Sequence, residues 1–247
     1  MEYSVIVPVF NEEKSIPLFF NSINNVMKKL NKSYEIIFVD DGSTDNSLKE
    51  LSQLSSQNYK AFSLTTHMGK SAALQTGFDN ASGKIIITLD GDLQDDPGCI
   101  PALLKKLNDG YDVVTGWRYK RQDALNKIIA SKVANIFRKI VFKEKINDVG
   151  CAFRAMKSYV IKDIYLSEGL HRFFTLIVKK LGYKIGEVKV NHRPRVFGKS
   201  KYKNSERLIE SIIDLIKLHK GDLRTLLKPP KNKYPYKIIN NYEVKYK

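Results

Sequence analysis

The sequence predicts an α/β fold in which a mostly parallel sheet is flanked by helices. Short runs of β-branched and aromatic residues alternate with longer segments that carry apolar residues at three- and four-residue spacing. Turn-forming stretches such as DGSTDNS and SGK separate the two kinds of segment. This alternation favours parallel strands joined by helical crossovers. The 247 residues suffice for one large domain with its own core.

Five strands and three helices are predicted in the first half of the chain. The apolar runs place the strands at residues 3–9, 34–40, 60–66, 84–90 and 111–116. Helical spacing places the helices at residues 13–30, 43–55 and 70–81. Later elements are a basic helix over 125–141, a strand within 151–157, a helix after His171 and a strand over 184–190. Residues 191–202 are cationic and interrupted by glycine, which is typical of a loop.

Residues 205–220 form a strongly amphipathic segment, in which leucine and isoleucine side chains share one side of a helix. Two interpretations remain open for this helix. It either packs on the domain or lies in a membrane interface beside the basic loop. Residues 221–247 are predicted to form a basic, polar and extended tail.

The charge of the chain is divided unevenly. Residues 1–100 carry 8 Lys and 13 Asp or Glu, whereas residues 101–247 carry 34 Lys or Arg and 13 Asp or Glu. An acidic half suits a cation and its ligand, and a basic half suits phosphate, nucleic acid or an anionic membrane surface. A solvated basic surface is the simpler alternative.

The sequence also favours a cytoplasmic protein that is neither secreted nor membrane-spanning. No apolar stretch is long enough to span a bilayer, and the first apolar run has no basic leader or cleavage site. Cys99 and Cys151 lie far apart in the sequence, which suits a reducing compartment and gives no metal-ligand spacing.

Three acidic clusters, NEE, DDGSTD and DGDLQDD, each follow a predicted strand, and ligands of such sheets bind beyond the carboxyl ends of the strands. In DGDLQDD, the glycine lets Asp90 and Asp92 turn their carboxylates into one space. A divalent cation would remove their repulsion, and carboxylate and amide oxygens suit Mg²⁺ or Mn²⁺. Asp90, Asp92 and Gln94 are therefore candidate metal ligands. Asp95 and Asp96, ahead of a proline, are predicted to start the next helix.

Two further motifs indicate an anionic, nucleotide-like ligand. Asp40 and Asp41 end the second strand, and capping of the following helix by Ser43 or its neighbours does not account for Asp40. Acceptors at such a strand end can bind a base or ribose hydroxyls. Lys70 opens a helix, where its ammonium and the free backbone N–H groups would meet an anion. The motif lacks the spacing of a P-loop.

The motifs occur together in a recognisable order. VIVPVFNEE, IIFVDDGSTDNS, GKSAALQTGF, IIITLDGDLQDDP and VVTGWR resemble the inverting family 2 glycosyltransferases of the GT-A fold. Further along, NDVGCAFRAMK and HRFFTLIVKKLGYKIGEVKVNHRPRVFGKSKY are similar to the polyprenyl-phosphate hexosyltransferases, the group that includes dolichol-phosphate mannose synthase. The resemblance covers residues 3–204. It implies a GT-A domain over 1–204, with a nucleotide and metal half at 1–116 and an acceptor half at 117–204, followed by the helix 205–220 and the tail 221–247.

The resemblance also implies roles for individual residues. The nucleotide pocket would contain Pro8, Phe10, Asn11, Glu12, Asp40, Asp41, Lys70 and Asp90, with Phe10 standing where tyrosine is frequent. The metal, Mg²⁺ or Mn²⁺, would be held by Asp90, Asp92 and Gln94. The reaction centre would contain Asp148, Arg118 and Asp92. The acceptor phosphate would be bound by Arg118, Lys127, Ser131, Arg193, Arg195, Lys199 and Lys201.

The implied reaction is inverting transfer of a hexose from a UDP- or GDP-linked donor to an undecaprenyl or dolichyl phosphate. An ionised acceptor phosphate needs no strong general base, so catalysis rests on positioning and charge. Many bacterial relatives continue into transmembrane helices, whereas this sequence has the amphipathic helix. It would therefore reach its lipid peripherally, through that helix and its basic charge or through a membrane partner.

Three alternatives compete with this hypothesis. A family 2 enzyme that glycosylates a sugar hydroxyl in polysaccharide assembly would need a carboxylate base near its acceptor. A phosphotransferase with a D-x-D-x-T/V motif is disfavoured, because Gln94 occupies the fifth position. A nucleic-acid-binding module would use the basic half, but no stacking platform or recognition helix supports it, so no nucleic-acid partner is expected. The sequence does not choose the sugar, the nucleotide or the oligomeric state.

Overall fold

The computed structural model describes residues 1–119, 146–197, 218, 221, 227, 234–239 and 244–246. Its strands are β1 (Tyr3–Val9), β2 (Tyr34–Asp40), β3 (Tyr59–Leu64), β4 (Ile85–Thr88), β5 (Val113–Arg118), β6 (Arg154–Lys157), β7 (Ile185–Val190), β8 (Tyr236–Ile239) and β9 (Val244–Tyr246). Its helices are α1 (Ile16–Lys29), α2 (Ser47–Gln53), α3 (Lys70–Asn80), α4 (Ile100–Asn108), α5 (Ser158–Lys162) and α6 (Phe174–Lys180). Two 3₁₀ turns, Pro97–Cys99 and Leu170–Phe173, precede α4 and α6.

The described strands form one sheet in the order β7-β5-β6-β4-β1-β2-β3-β8-β9. Pairing is parallel between β1 and its neighbours β2 and β4, between β2 and β3, and between β5 and β7. Strands β6 and β8 run against their neighbours on both sides. All other strands in this sheet therefore point in one direction, which confirms the predicted α/β fold with a mostly parallel sheet.

Apolar side chains cover both faces of the sheet, as a sheet buried between helices requires. Every residue of β2 is buried. Along β1, Ile6 belongs to the core cluster that includes α3 and α6, whereas Val5 and Val7 belong to the cluster that includes α1 and α4. This alternation follows from the period of two in a strand. Helices on both faces fix the strand ends, where the candidate site lies.

Several elements are shorter than the sequence pattern predicts, because polar side chains end them. Strand β4 stops at Thr88, and the N–H of Asp90 donates to Asp95 Oδ2 at 3.1 Å instead of continuing the ladder. Helix α2 begins at Ser47, whose N–H donates to Asp45 Oδ1 at 2.9 Å. The acidic stretches after the strands thus shape turns as well as a site.

Three features predicted for the second half of the chain lie wholly or partly outside the described residues. The predicted helix over 125–141 lies outside the described residues, as does 205–220 apart from Leu218. Leu218 is helical and fully buried, and its carbonyl accepts a hydrogen bond from Lys180 Nζ at 2.7 Å. The predicted extended tail contributes β8 and β9 to the sheet, which the sequence pattern did not indicate. In the described part of the chain, no helix is long and apolar enough to cross a membrane.

Candidate active site

The centre of the candidate site is a tight turn after β4. A Cβ on Gly91 would lie 2.6 Å from Val9 Cγ1, because the turn approaches the end of β1 closely. The turn therefore requires glycine at this position. The left-handed backbone conformation falls on Leu93, at φ 63°. The turn brings Asp90 and Asp92 to the same cleft. Both residues thus line one cleft, as the sequence pattern predicts, and their role as metal ligands stays a prediction.

Two cations from distant parts of the chain cover the two carboxylates. Lys70, the first residue of α3, pairs with Asp90. Arg195, in the loop after β7, donates from Nη2 to Asp92 Oδ2 at 2.6 Å, and its Nη1 lies 3.5 Å from Glu12 Oε1. The predicted basic loop thus reaches the acidic edge of the sheet. Arg195 was expected beside an acceptor phosphate, and its contacts here are with predicted metal and nucleotide residues.

Asp90, Asp92 and Asp95, here called the acidic cluster, lie close enough together for their negative charges to change one another's pKa values. Burial alone would raise the pKa of Asp90, but the Lys70 ammonium outweighs it and holds that pKa below its usual value. Burial and the charge of Asp90 raise the pKa of Asp92. Burial and the same neighbour raise the pKa of Asp95 to about 7. The cluster therefore gains from any additional positive charge that a ligand or metal brings.

Asp95 was predicted to start the next helix together with Asp96, and for Asp95 this was wrong. Asp96 does cap the 3₁₀ turn, accepting from Gly98 N at 3.0 Å. Asp95 is instead 5% exposed and bonds to the backbone of Asp90. It forms a β-bridge with His192, which joins the turn after β4 to the basic loop. Asp95 therefore stabilises the backbone of the turn that carries Asp90 and Asp92.

A cleft of about 110 Å³ opens beside these carboxylates. It is lined by Pro8, Val9, Phe10, Glu12, Asp41, His67, Lys70, Ala73, Asp90, Gly91, Asp92 and Arg195. At one end the rings of Phe10 and His67 stack, with centroids 4.1 Å apart and planes 19° apart. His67 Nδ1 lies 3.0 Å from Asp41 Oδ2, which holds the imidazole in place. The cleft is therefore lined by flat rings as well as by charged groups.

Asp40 and Asn11 have contacts within the protein that explain much of their chemistry. Asp40 is fully buried, and its carboxylate accepts from Ser43 N at 3.2 Å and from Ser63 Oγ at 2.9 Å. Asn11 has φ 52°, and its Oδ1 accepts from Thr44 N at 2.8 Å. Both residues fasten the loop after β2. Asp41, rather than Asp40, lines the cleft, and the nucleotide role of Asp40 stays a prediction.

Arg118 and Asp148 form a bidentate ion pair. Arg118 Nε donates to Asp148 Oδ2 at 2.7 Å, and Nη2 donates to Oδ1 at 2.9 Å. Asp148 also donates its N–H to Glu187 Oε1 at 2.9 Å, which fixes the loop to β7. The bond to Asp148 raises the pKa of Arg118 despite its burial. Two of the three residues predicted for the reaction centre, Arg118 and Asp148, are therefore fixed to each other.

The remaining predicted residues divide into two groups. The Gln94 side chain donates to Arg193 O at 3.3 Å, and Arg193 pairs with Asp96 at 3.0 Å, so both contact the rim of the site. Four predicted acceptor residues lie outside the described residues, namely Lys127, Ser131, Lys199 and Lys201. Their roles stay predictions.

Sequence reasoning missed two further residues near the site. His67 precedes the MGK motif that drew attention to Lys70, yet a single histidine in a loop gave no signal of its own. Arg154 is 3% exposed, lies over the Phe174 ring at 5.0 Å and adds positive charge beneath Asp90. Its charge in the apolar strand CAFRAMK was a signal that could have been used.

A larger surface groove, of about 550 Å³, lies between α1, α2 and Phe197. The residues that line it include Glu13, Lys14, Lys49 and Glu50. It is open to solvent and apart from the converging carboxylates. The smaller cleft is therefore the candidate active site, because it alone of the two contains the buried charged cluster.

Solved structures with the same fold include several of glucosyl-3-phosphoglycerate synthase from Mycobacterium tuberculosis. One, in complex with Mn²⁺, UDP and phosphoglyceric acid, is 20% identical, matches 90% of this chain and 79% of its own, and has a TM-score of 0.72. A second, with Mn²⁺, UDP-glucose and phosphoglyceric acid, is 18% identical over 90% and 80% of the two chains, also with a TM-score of 0.72. At these identities the likeness establishes the GT-A fold.

The sequence itself matches the family model described as glycosyl transferase family 2, over residues 4–165. The match spans more than half of the chain and contains β1 to β6 with the acidic turn after β4. With its fold and this match, the chain belongs to glycosyl transferase family 2, the nucleotide-sugar-dependent glycosyltransferases.

Proposed function

We propose that this enzyme transfers a hexose from a nucleotide sugar, UDP-linked in preference to GDP-linked, to a polyprenyl phosphate with inversion at the anomeric carbon. The observation that carries the donor side is one cleft whose lining includes the stacked rings of Phe10 and His67 together with Lys70, Arg195 and the two aspartates. A nucleoside diphosphate has a flat base at one end and a charged diphosphate at the other. The cleft offers both kinds of partner, rings for the base and charged groups for the diphosphate and its metal.

The preference for UDP rests on the solved structures with this fold. Glucosyl-3-phosphoglycerate synthase has been crystallised with UDP and with UDP-glucose. Asp41 and His67 stand beside Phe10 at the end of the cleft that would receive the base. An Nδ1–H that donates to Asp41 leaves Nε2 of a neutral imidazole as an acceptor. Uracil N3–H fits such an acceptor, as does guanine N1–H, so the preference for UDP rests on the solved complexes and not on this contact.

A divalent cation fits the donor set of the cleft. Asp90 and Asp92 are hard oxygen ligands in one place, and each already attracts a protein cation. No cluster of three His, Cys, Asp or Glu ligands occurs among the residues described, so substrate oxygens would complete the coordination. Asp90 and Asp92 would hold Mg²⁺ or Mn²⁺, which would stabilise the charge of the leaving diphosphate. The glucosyl-3-phosphoglycerate synthase complexes contain Mn²⁺, which supports this choice.

The phosphate acceptor is supported by the ion pair of Arg118 and Asp148. Both carboxylate oxygens of Asp148 accept from Arg118, so this carboxylate is poorly placed to remove a proton from a hydroxyl. A polyprenyl phosphate is already ionised and needs only orientation and charge neutralisation. The basic half of the chain suits that acceptor and a peripheral position on an anionic, cytoplasmic membrane face.

A second candidate acceptor is a small phosphorylated acid that is glycosylated on a hydroxyl. It is favoured by the phosphoglyceric acid bound in the solved structures with this fold. A hydroxyl acceptor would need a base, and among the carboxylates described near the cleft Asp95, with its pKa near 7, has the most suitable proton affinity. Its burial beneath Asp90 argues against direct access to an acceptor.

The deciding experiment offers purified enzyme a panel of UDP- and GDP-sugars with Mn²⁺ or Mg²⁺. Short-chain polyprenyl phosphate in detergent is compared with phosphoglyceric acid as the acceptor. A glycosyl phospholipid formed from a UDP-sugar is the expected product. Transfer to phosphoglyceric acid with no lipid product would overturn the lipid assignment in favour of the second candidate.

A further inference from the structure

An exposed cluster of aromatic and basic side chains lies on the edge of the sheet nearest the predicted acceptor side. It consists of Trp117, Tyr119 and Lys189, here called the edge cluster. Lys189 Nζ lies 5.3 Å from the centroid of the Trp117 ring and 4.3 Å from that of the Tyr119 ring. The two rings are perpendicular, with centroids 5.1 Å apart. Trp117 and Lys189 are register partners on β5 and β7.

Nothing in the described fold covers this cluster. Strand β7 is the outermost strand at its end of the described sheet. Tyr119 is 55% exposed, Lys189 is exposed and Trp117 is half-buried. An aromatic ring usually stabilises a fold by being buried in the core, and the exposed Tyr119 ring contributes little in this way. As far as the described residues go, the rings are therefore available to a partner.

The cluster is adjacent to the predicted reaction centre. Trp117 and Tyr119 flank Arg118, which holds Asp148. Two residues before Lys189 on β7, the Glu187 carboxylate accepts the N–H groups of Asn147 and Asp148, at 2.9 Å each. The negative charge of Glu187 is thus engaged by the loop that carries Asp148. Lys189 therefore gives the edge cluster its positive charge. The edge cluster therefore shares strand β7 with the carboxylate that fixes the loop of Asp148.

We propose that the edge cluster docks on the headgroup layer of an anionic lipid bilayer, an inference that rests on the proposed lipid acceptor. Tryptophan and tyrosine favour the membrane interface, where the ring lies among acyl chains and its polar atom meets water. An exposed lysine between them is complementary to anionic headgroups. A sugar platform is the main alternative use of paired rings, but stacking on a sugar needs a free ring face. Lys189 takes up one face of each ring and adds a positive charge beside them, which favours anionic headgroups over a neutral sugar.

Trp117 provides a direct test, because it is the one tryptophan in the sequence. Its fluorescence is measured for the full chain with vesicles of phosphatidylcholine, alone or mixed with phosphatidylglycerol. Part of the phosphatidylcholine is brominated near the headgroup end of its acyl chains. The expected result is quenching by bromine only when phosphatidylglycerol is present. Vesicle binding without quenching would overturn the proposal, because the protein would then dock through another surface.

Lys189→Gln tests the charge. Loss of one lysine close to an anionic surface should lower partitioning into phosphatidylglycerol vesicles about fivefold. Lys184→Gln is the matched control, since Lys184 is exposed and lies just before the other end of β7. It should partition almost as the unmodified protein does. Equal loss in the two variants would show a diffuse charge effect and overturn the role of the edge cluster.

Transfer in detergent separates this inference from the proposed function. Lys189→Gln should glycosylate short-chain polyprenyl phosphate in detergent as fast as the unmodified enzyme, because no bilayer has to be docked. Quenching of Trp117 by brominated lipid together with absence of any lipid product would retain the docking surface and reject the lipid acceptor. A change in Trp117 emission with soluble oligosaccharides, and none with vesicles, would identify a sugar platform and overturn the membrane proposal.

Discussion

The residues beyond β1 and β4 are arranged around a local excess of negative charge. Asp90, Asp92 and Asp95 crowd together, and the protein covers two of them with Lys70 and Arg195. Raised pKa values at Asp92 and Asp95 express the cost of this crowding. A ligand that brings a cation to the carboxylates and an anion to the two basic groups relieves both. A metal-bound diphosphate carries both charges, with the cation and the anion in direct contact.

Asp92→Asn should remove the metal-dependent activity. The amide keeps the shape of the side chain but loses the charge that attracts a divalent cation, so transfer should fall about a hundredfold or more. Mn²⁺ binding, followed by the electron paramagnetic resonance of the free ion, should weaken in parallel. Asp96→Asn is the control, because asparagine also caps a helix start and Asp96 lies outside the cleft. Full activity of Asp92→Asn would contradict the proposed metal site.

Glu35 gives a prediction about stability and pH. Its carboxylate is 1% exposed and accepts from Ser4 Oγ, Ser82 N and Lys60 Nζ at 2.6–2.7 Å. Burial would raise the pKa of Glu35, but these donors outweigh it and lower the pKa below its unfolded value of 4.5. The ionised form therefore stabilises the fold above about pH 4.5, and this contribution is lost as the pH falls through the lower folded pKa.

Glu35→Gln should accordingly reduce the free energy of unfolding at pH 7 by about 2 kcal/mol, because buried donors lose a charged acceptor. Urea unfolding at pH 7 and again near pH 3 should show that the difference shrinks in acid. Glu50→Gln, on the surface of α2, should change little at either pH. A difference that stays constant with pH would refute the role given to the Glu35 charge.

At the scale of elements, the strongest patterns located strands to the residue. The runs YSVIVPV and YEIIFVD coincide with β1 and β2, because an apolar run buried on both faces has clear ends. Strands β8 and β9 were missed, since their positions depend on the open edge of β3 and not on any periodicity of their own. The same limit applies to Asp95, whose burial depends on how the turn after β4 folds back. Long-range packing of this kind leaves no local signal.

The contact of β8 with β3 should be measurable. The Tyr236 ring packs edge-on against Phe62, with centroids 5.3 Å apart, and its hydroxyl donates to Asn80 Oδ1 at 3.2 Å. Tyr236→Ala should lower the free energy of unfolding by about 2 kcal/mol through lost aromatic packing. Tyr236→Phe keeps the ring and should cost about 1 kcal/mol or less. Chemical denaturation of both variants tests this, and equal stability of Tyr236→Ala and the unmodified protein would show that β8 adds nothing.

At the scale of the whole molecule, the loop after β7 connects two parts of the chain with different charge. Arg195 reaches from the basic half to Asp92 and Glu12 in the acidic half, while Asp95 and His192 form a bridge beneath it. The candidate cleft is therefore completed by residues far apart in the sequence. Motifs located the acidic edge correctly, but they could not show that Arg195 would face it, because that contact requires the fold.

Arg195→Gln tests this connection. In the proposed donor complex, Asp92 would hold the metal, and the Arg195 guanidinium would be available to bind the phosphate oxygens. Charge-assisted bonds of this kind contribute enough that UDP with Mn²⁺ should bind about tenfold more weakly to Arg195→Gln. Uridine, which lacks the diphosphate, should bind equally to both proteins. Arg193→Gln is the matched control, because its guanidinium pairs with Asp96 on the rim. Calorimetric titration measures the affinity of the unmodified protein and of both variants for each ligand. Unchanged affinity of Arg195→Gln for UDP would show that Arg195 serves only to hold the loop.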